Sequence, residues 1–502
     1  MNNNIIIIGG GLGALFTGAF LAKNGFRVTI MEKNHIIGGG LQCFKRRGEL
    51  FETGMHVLGG FQRGGSLNKI CTYLGIMDKL SIRELDGDAI DSIRYLSDNV
   101  TYYIPKGRER FVEYFADLFP HERYNIRLYV DQLYSLADEV DLFYLRKSSD
   151  SIFSHSDNFM CPADQLISHY IKDPKLQDVL AYMNPMYGGV AHHTPAYIHA
   201  LINVLYIDGA SRFNDGSQQL ADALSQIIID GGGQILVDHQ VAHIQVFDKN
   251  IQYIETTQGE KFTADTYISD IHPCTLTGLM SAGAFPRSYI SRLTDIPNTY
   301  SAFTVYIIFK DGTFPYINHT CYYQEDYGMV WKHDEYDADR WPRGFMYITP
   351  STIDQGPYAN KMIVNSIMDF SVVLPWADTL TGHRGKEYEE WKEAHKNMVI
   401  DRLETLHPGI KDMIEYSFAS SPLTIRDYYG VKNGSLYGFR KDSSNILLSQ
   451  VPIYTKVKNL LLTGQNINLH GICGVPLTAV QTAEALIGQG VLLDKINAAY
   501  VE

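Results

Sequence analysis

Residues Ile5–Gly40 read IIIIGGGLGALFTGAFLAKNGFRVTIMEKNHIIGGG, and the order of elements in this stretch decides the fold. Four consecutive isoleucines offer no polar face, which suits a short strand buried on both sides in a parallel sheet. A glycine turn follows at once. Gly9, Gly11 and Ala14 stand at the spacing G-x-G-x-x-G/A, with Leu12 and Gly13 between the last two. That spacing allows a tight turn at Gly9, close approach of a pyrophosphate at Gly11 and close helix packing at Ala14. Leu12 to Lys23 are helix formers or small residues, and Asn24-Gly25 supplies a left-handed stop. A second strand, Arg27 to Met31, delivers Glu32, 21 residues beyond Gly11, where an acid meets the ribose hydroxyls of a dinucleotide. Strand, turn, helix, strand and acid agree in order, so an α/β fold with a Rossmann-like dinucleotide domain is expected.

Glu32-Lys33 is followed by a second glycine cluster, Gly38-Gly39-Gly40. The pair of clusters resembles the flavoprotein family of amine oxidases and phytoene desaturases, where a second Gly-Gly lies near the FAD pyrophosphate. Gly40 stands where that family usually has Arg, which leaves one phosphate contact to Lys45 or Arg46. Residues Gly38–Gly60, GGGLQCFKRRGELFETGMHVLGG, resemble retinol saturases and carotenoid isomerases in the segment Phe51 to His56. Asn459–Gly488, NLLLTGQNINLHGICGVPLTAVQTAEALIG, resembles their terminal flavin motif: a buried strand, then Thr463-Gly464-Gln465-Asn466, then a glycine-rich turn into a helix. Amides at such a helix start face an electron-rich ligand edge well.

The resemblance implies a two-domain flavoprotein of amine-oxidase/phytoene-desaturase type, with a Rossmann-like FAD domain and a mixed-sheet and helical substrate domain. It implies FAD contacts at Gly9, Gly11, Leu12, Gly13, Ala14, Glu32, Lys33, Gly38, Gly39, Gly40, Gly464, Gln465, Asn466, Gly474 and Val475, and an adenine contact by the backbone of Val241.

At 502 residues the chain exceeds the usual size of one core, so two domains are expected. With 45% hydrophobic and 20% charged residues it is an ordinary globular composition. The net charge of −13, and no basic run beyond Lys45-Arg46-Arg47, argue against nucleic acid as a partner. Six scattered cysteines without a C-x-x-C pair read as reduced thiols in a cytoplasmic protein. Cys473 lies in the terminal motif, where either a covalent flavin link or a small packed residue fits. The apolar run Ile5 to Ala22 lacks a basic leader and is explained by the βα unit, and no other run of about twenty apolar residues occurs.

Along the chain, FAD-domain segments are expected at 1–85, 209–275 and 431–502, and substrate-domain segments at 86–208 and 276–430. Tyr95 to Ile104 alternates like one strand, and Gly107 to Leu145 has aromatic residues at helical spacing, suited to a core or to a substrate-gating or membrane-touching face. His192 and His193 are adjacent and do not share a ligand position on a regular element, and no metal site is expected. A chain that crosses between domains several times places its active site in the cleft between them.

Within the resemblance, the reaction falls on carbon-carbon double bonds of a polyene or isoprenoid lipid: saturation, desaturation, or cis-trans isomerisation with reduced FAD. An amine oxidase and a flavin carrier without turnover are the readings from elsewhere. A saturase needs an acid beside the flavin; His56 is the first candidate and Tyr187 the second. No second dinucleotide fingerprint is present, so the electron source is NAD(P)H bound without a Rossmann unit, or a protein partner. A lipid substrate implies peripheral membrane contact. Oligomeric state is not legible.

Overall fold

The computed structural model describes residues 4–148, 155–332, 335–444 and 450–500; residues 1–3 and 501–502, the ends of the first and last expected segments, lie outside these. The strand β1 (Asn4–Ile8), the helix α1 (Leu12–Lys23) and the strand β2 (Arg27–Met31) form where the sequence predicts them. Ile5 to Ile8 are at most 4% exposed. Each such side chain contributes roughly 1.5–3 kcal/mol when fully buried. Gly25, at φ +86°, is the left-handed residue past the helix end.

β1 sits at the centre of a five-stranded parallel sheet, in the order β3-β2-β1-β4-β5, where β3 is Gln234–Leu236, β4 is Thr266–Ser269 and β5 is Leu460–Leu462. Three distant parts of the chain therefore build one sheet. α1 has no polar face because it is covered on every side: by the sheet, by the helix Gln218–Asp230 and by a long helix, α2 (Gly471–Ile487). Thr17 and Thr463, the polar pair in this interior, satisfy each other at 3.0 Å.

A second, mixed sheet of seven strands runs in the order 414–420, 301–309, 361–368, 344–348, 320–324, 91–95, 101–104. Its second strand, Ser301–Phe309, is buried throughout, and the helix Lys386–Leu406 packs into the same core with Val399 and Leu403. The single strand expected over Tyr95 to Ile104 is instead a hairpin, Asp91–Tyr95 paired with Thr101–Ile104. Ser97-Asp98-Asn99 turns it, with Asn99 at φ +58°, a conformation Asn tolerates. The aromatic stretch after Gly107 forms two helices, Arg108–Leu118 and Arg123–Asp138, separated at Pro120. Their apolar faces join the core shared with α1, which fits core packing. No helix among the described residues is long and apolar enough to cross a membrane.

Candidate active site

The loop between β1 and α1 is held in a shape that glycine alone permits at two points. Gly9 has φ +95°, and a Cβ at Gly13 would lie 2.7 Å from the Gly464 Cα as well as against the Asp270 carboxylate. The two glycine clusters meet directly: the Gly38 amide donates to the Gly10 carbonyl at 2.7 Å. Glu32, 6% exposed, leaves the end of β2 and accepts from the Gly10 amide through Oε2 and the Asn34 amide through Oε1, both at 2.8 Å. Its carboxylate is thus fixed at the mouth of the loop. Lys33 beside it donates to the Asp427 carbonyl at 2.7 Å, and burial holds its amine below the ordinary range.

A cavity of about 460 Å³ begins at this loop, a volume typical of ligand sites. Gly9, Gly11, Leu12, Gly13, Glu32, Lys33, Gly39 and Gly40 line one end, with Val241 beside them. Gln465, Asn466, Gly474 and Val475 line it from the terminal motif. Ala14, Gly38 and Gly464 lie behind this wall and shape it through packing. The Asn466 side chain is itself committed, accepting from the Phe439 amide at 3.2 Å.

A dinucleotide flavin fits what is present. Backbone amides crowd the start of α1, where the N-cap residue Gly11 has no side chain of its own to cap them. Glu32 keeps lone pairs for ribose hydroxyls. At the start of α2, the buried His470 ring lines the cavity, and its Nε2 meets no hydrogen-bond partner among the described residues. Burial and the Lys441 charge push His470 down to about 3, so it is a neutral ring. A ligand with polar atoms satisfies it. Cys473 beside it is raised to about 11 by burial and lies 3.5 Å from the Ser66 hydroxyl, which suits a packed thiol better than a nucleophilic thiolate. All six cysteines are free.

The remaining wall mixes an aliphatic face with polar side chains such as Asn365, Tyr429 and Tyr437. Helix Ala196–Ile207 turns Ile198, Leu201, Ile202 and Leu205, one face at helical spacing, into the cavity, opposite Phe143, Leu436 and Ile472. The carboxylates in the wall, among the described residues, are Glu32 and Asp270, and both belong to the dinucleotide end.

His56 is in this wall, just after the short strand Glu49–Glu52. Its Nδ1 is 3.0 Å from the Glu52 Oε1, and both side chains are largely buried. The contact fixes the ring and leaves Nε2 for another partner. Tyr187 is placed elsewhere. It is 3% exposed and outside the cavity wall, with its hydroxyl 2.9 Å from the His199 Nδ1 while Tyr129 holds the His199 Nε2 at 2.6 Å. The structure therefore does not bring the two candidate acids together. His192 and His193 pair with separate carboxylates, Asp164 and Asp442.

Three residues of the site escape the sequence reading: Asp270 at the end of β4, His272 just beyond it, and His470. Asp270 had a signal, an acid ending a buried strand, ISD. His470 had none, because adjacent glycines explain the turn without it.

A family model for flavin-containing amine oxidoreductases matches residues 15–317, more than half of the chain. The chain belongs to the flavin-containing amine oxidoreductase family. Its cofactor is accordingly FAD, and it is an FAD-dependent oxidoreductase. Over 98% of this chain and 87% of the relative's length, it is 24% identical to an all-trans-retinol 13,14-reductase of Danio rerio. It is also 24% identical to a chloroplastic prolycopene isomerase of an Oncidium hybrid cultivar, over 86% of this chain and 74% of that one. An oxidoreductase of Methanosarcina mazei shares the fold at a TM-score of 0.65 and 15% identity, covering 96% of this chain and all of the other. The two-domain architecture of this flavoprotein family is therefore the architecture of this chain.

Proposed function

We propose that this flavoprotein reduces a carbon-carbon double bond in a polyene or related isoprenoid, as a retinol-saturase-like enzyme. One observation carries the reading: the cavity that holds the dinucleotide loop is also lined by Ile198, Leu201, Ile202, Leu205 and Phe143, and its carboxylates, among the described residues, are confined to the dinucleotide end. An alkylammonium substrate against those aliphatic side chains would lose its hydration with no counter-charge, at high cost. A conjugated hydrocarbon gains about 25 cal/mol for each Å² that it buries. The names of the relatives, a retinol reductase and a prolycopene isomerase, support a substrate of this class.

FAD, when bound, would supply the two-electron chemistry. The chain's own part is to orient the polyene and to move one proton. His56 is the proposed acid: Glu52 holds Nδ1, and Nε2 delivers a proton to the carbon next to the one that receives hydride. Tyr187 acts, in this account, through packing around His199. NAD(P)H is proposed as the electron source, bound transiently, since one dinucleotide loop serves FAD. The remaining FAD contacts, including the backbone of Val241 at the adenine, are assigned as the sequence expects, and the domain segments likewise.

The test is product mass after turnover of all-trans-retinol with the reduced enzyme. A gain of two hydrogens and a shortened chromophore support the proposal. A product of unchanged mass assigns the site to isomerisation instead.

A further inference from the structure

Asp270 ends β4 and sits in the dinucleotide loop itself. A Cβ at Gly11 would lie 2.6 Å from its Oδ2, and a Cβ at Gly13 or Gly464 would collide with its other oxygen. Its carboxyl accepts from the Gly11 and Ala14 amides. Gly11 is the N-cap of α1 and has no side chain to offer, so a strand distant in sequence supplies the cap. The carboxyl also lines the cavity at the position where a pyrophosphate approaches Gly11 and Gly13. An ionised carboxylate and a pyrophosphate at the start of one helix repel each other.

We infer that Asp270 is a proton-carrying member of the FAD site: it takes up a proton as FAD binds and meets the cofactor as a neutral carboxylic acid. This rests on the assignment of FAD to the loop. The surroundings agree. Burial, with the Glu32 charge from the end of β2 added to it, pushes Asp270 up to about 7 before any cofactor arrives. Lys33, next to Glu32, is engaged with the Asp427 carbonyl. His272, two residues on, is held neutral by burial at about 4, and His470, at the start of α2, at about 3. α1 brings no ionisable group before Lys23, and the turn after β5 brings Thr463, Gly464 and Gln465. Adding a pyrophosphate and removing water both favour the neutral form further.

The sign follows from linkage. The acid binds its proton more tightly in the complex, so FAD affinity is highest below pH 7 and falls as pH rises above it, by at most tenfold per pH unit for one proton. The test uses the full chain stripped of flavin and titrated with FAD between pH 5.5 and 8.5. Calorimetry near pH 7 in two buffers of different ionisation enthalpy counts the protons taken up. The expected results are a dissociation constant rising with pH, net proton uptake, and loss of both in Asp270→Asn, which keeps an acceptor for the two amides. Should that variant fail to fold, the proton count on the unaltered protein decides alone. A pH-independent affinity without proton uptake overturns the inference, as does an Asp270→Asn protein that retains the wild-type slope. No FAD binding at any pH would overturn the flavin assignment, and this inference with it.

Discussion

Replacing Glu32 by alanine removes both anchors of the dinucleotide mouth at once. In the native protein its two oxygens each accept a backbone amide at 2.8 Å, from Gly10 and Asn34, in a site only 6% exposed. Hydrogen bonds to a charged acceptor are worth roughly 1.5–3 kcal/mol each, and the Asn34 amide recovers part of this from water. The flavin-free protein should therefore lose about 2–4 kcal/mol of stability, read as a lower urea midpoint. FAD loses a charged acceptor for its ribose as well. A further loss of about 1.5–3 kcal/mol in binding corresponds to a dissociation constant raised roughly 10- to 150-fold. Flavin fluorescence titration of the refolded variant measures it. Full flavin content with an unchanged dissociation constant would show that the fingerprint had been misread and that Glu32 serves the loop alone.

Three further outcomes follow from the same geometry. His56→Phe should keep its flavin and slow turnover by roughly 100-fold or more, in the range of lost general-acid catalysis, and Glu52→Gln should give a smaller loss with a shifted pH profile; full turnover in both excludes the pair. Leu201→Trp fills the space beside the aliphatic face, so KM for a polyene should rise about tenfold while FAD affinity stays constant, and an unchanged KM would place the substrate elsewhere. Asp91 is buried and raised to about 6 although the Tyr182 hydroxyl and Arg212 favour its charge. The folded state therefore holds this proton more tightly than the unfolded chain, and stability falls as pH climbs from about 4 to 6. Asp91→Asn should remove that slope, as urea unfolding at several pH values will test, while the buried Arg212 loses a counter-charge and offsets the gain at pH 7.

The loop proposed to hold FAD was legible because its geometry is local. Gly9, Gly11 and Glu32 stand close together in one stretch, and the physical demands on them (positive φ, close approach, a fixed acid) leave a pattern of spacing. His56 and the Thr463–Asn466 turn drew notice through resemblance, and the structure puts His56, Gln465 and Asn466 in the cavity wall. Asp270 was not, because its role depends on β4 lying beside β1, a pairing between residues more than 250 positions apart. The aliphatic face was also hidden. In Ala196–Ile207 nearly every residue is apolar and buried, so periodicity does not single out the face that meets the cavity. Tyr187 illustrates the reverse error of scale: a polar aromatic in a region of the right domain reads as an acid until its partner His199 is seen. The hairpin at Ser97–Asn99 was missed because its short turn interrupts an otherwise alternating run.

The most direct measurement reduces the purified protein without oxygen, adds all-trans-retinol and follows the visible absorption of the flavin. Return of the oxidised band, with loss of the polyene's own absorption, is the result this account predicts. A flavin that stays reduced beside an unaltered polyene would contradict it.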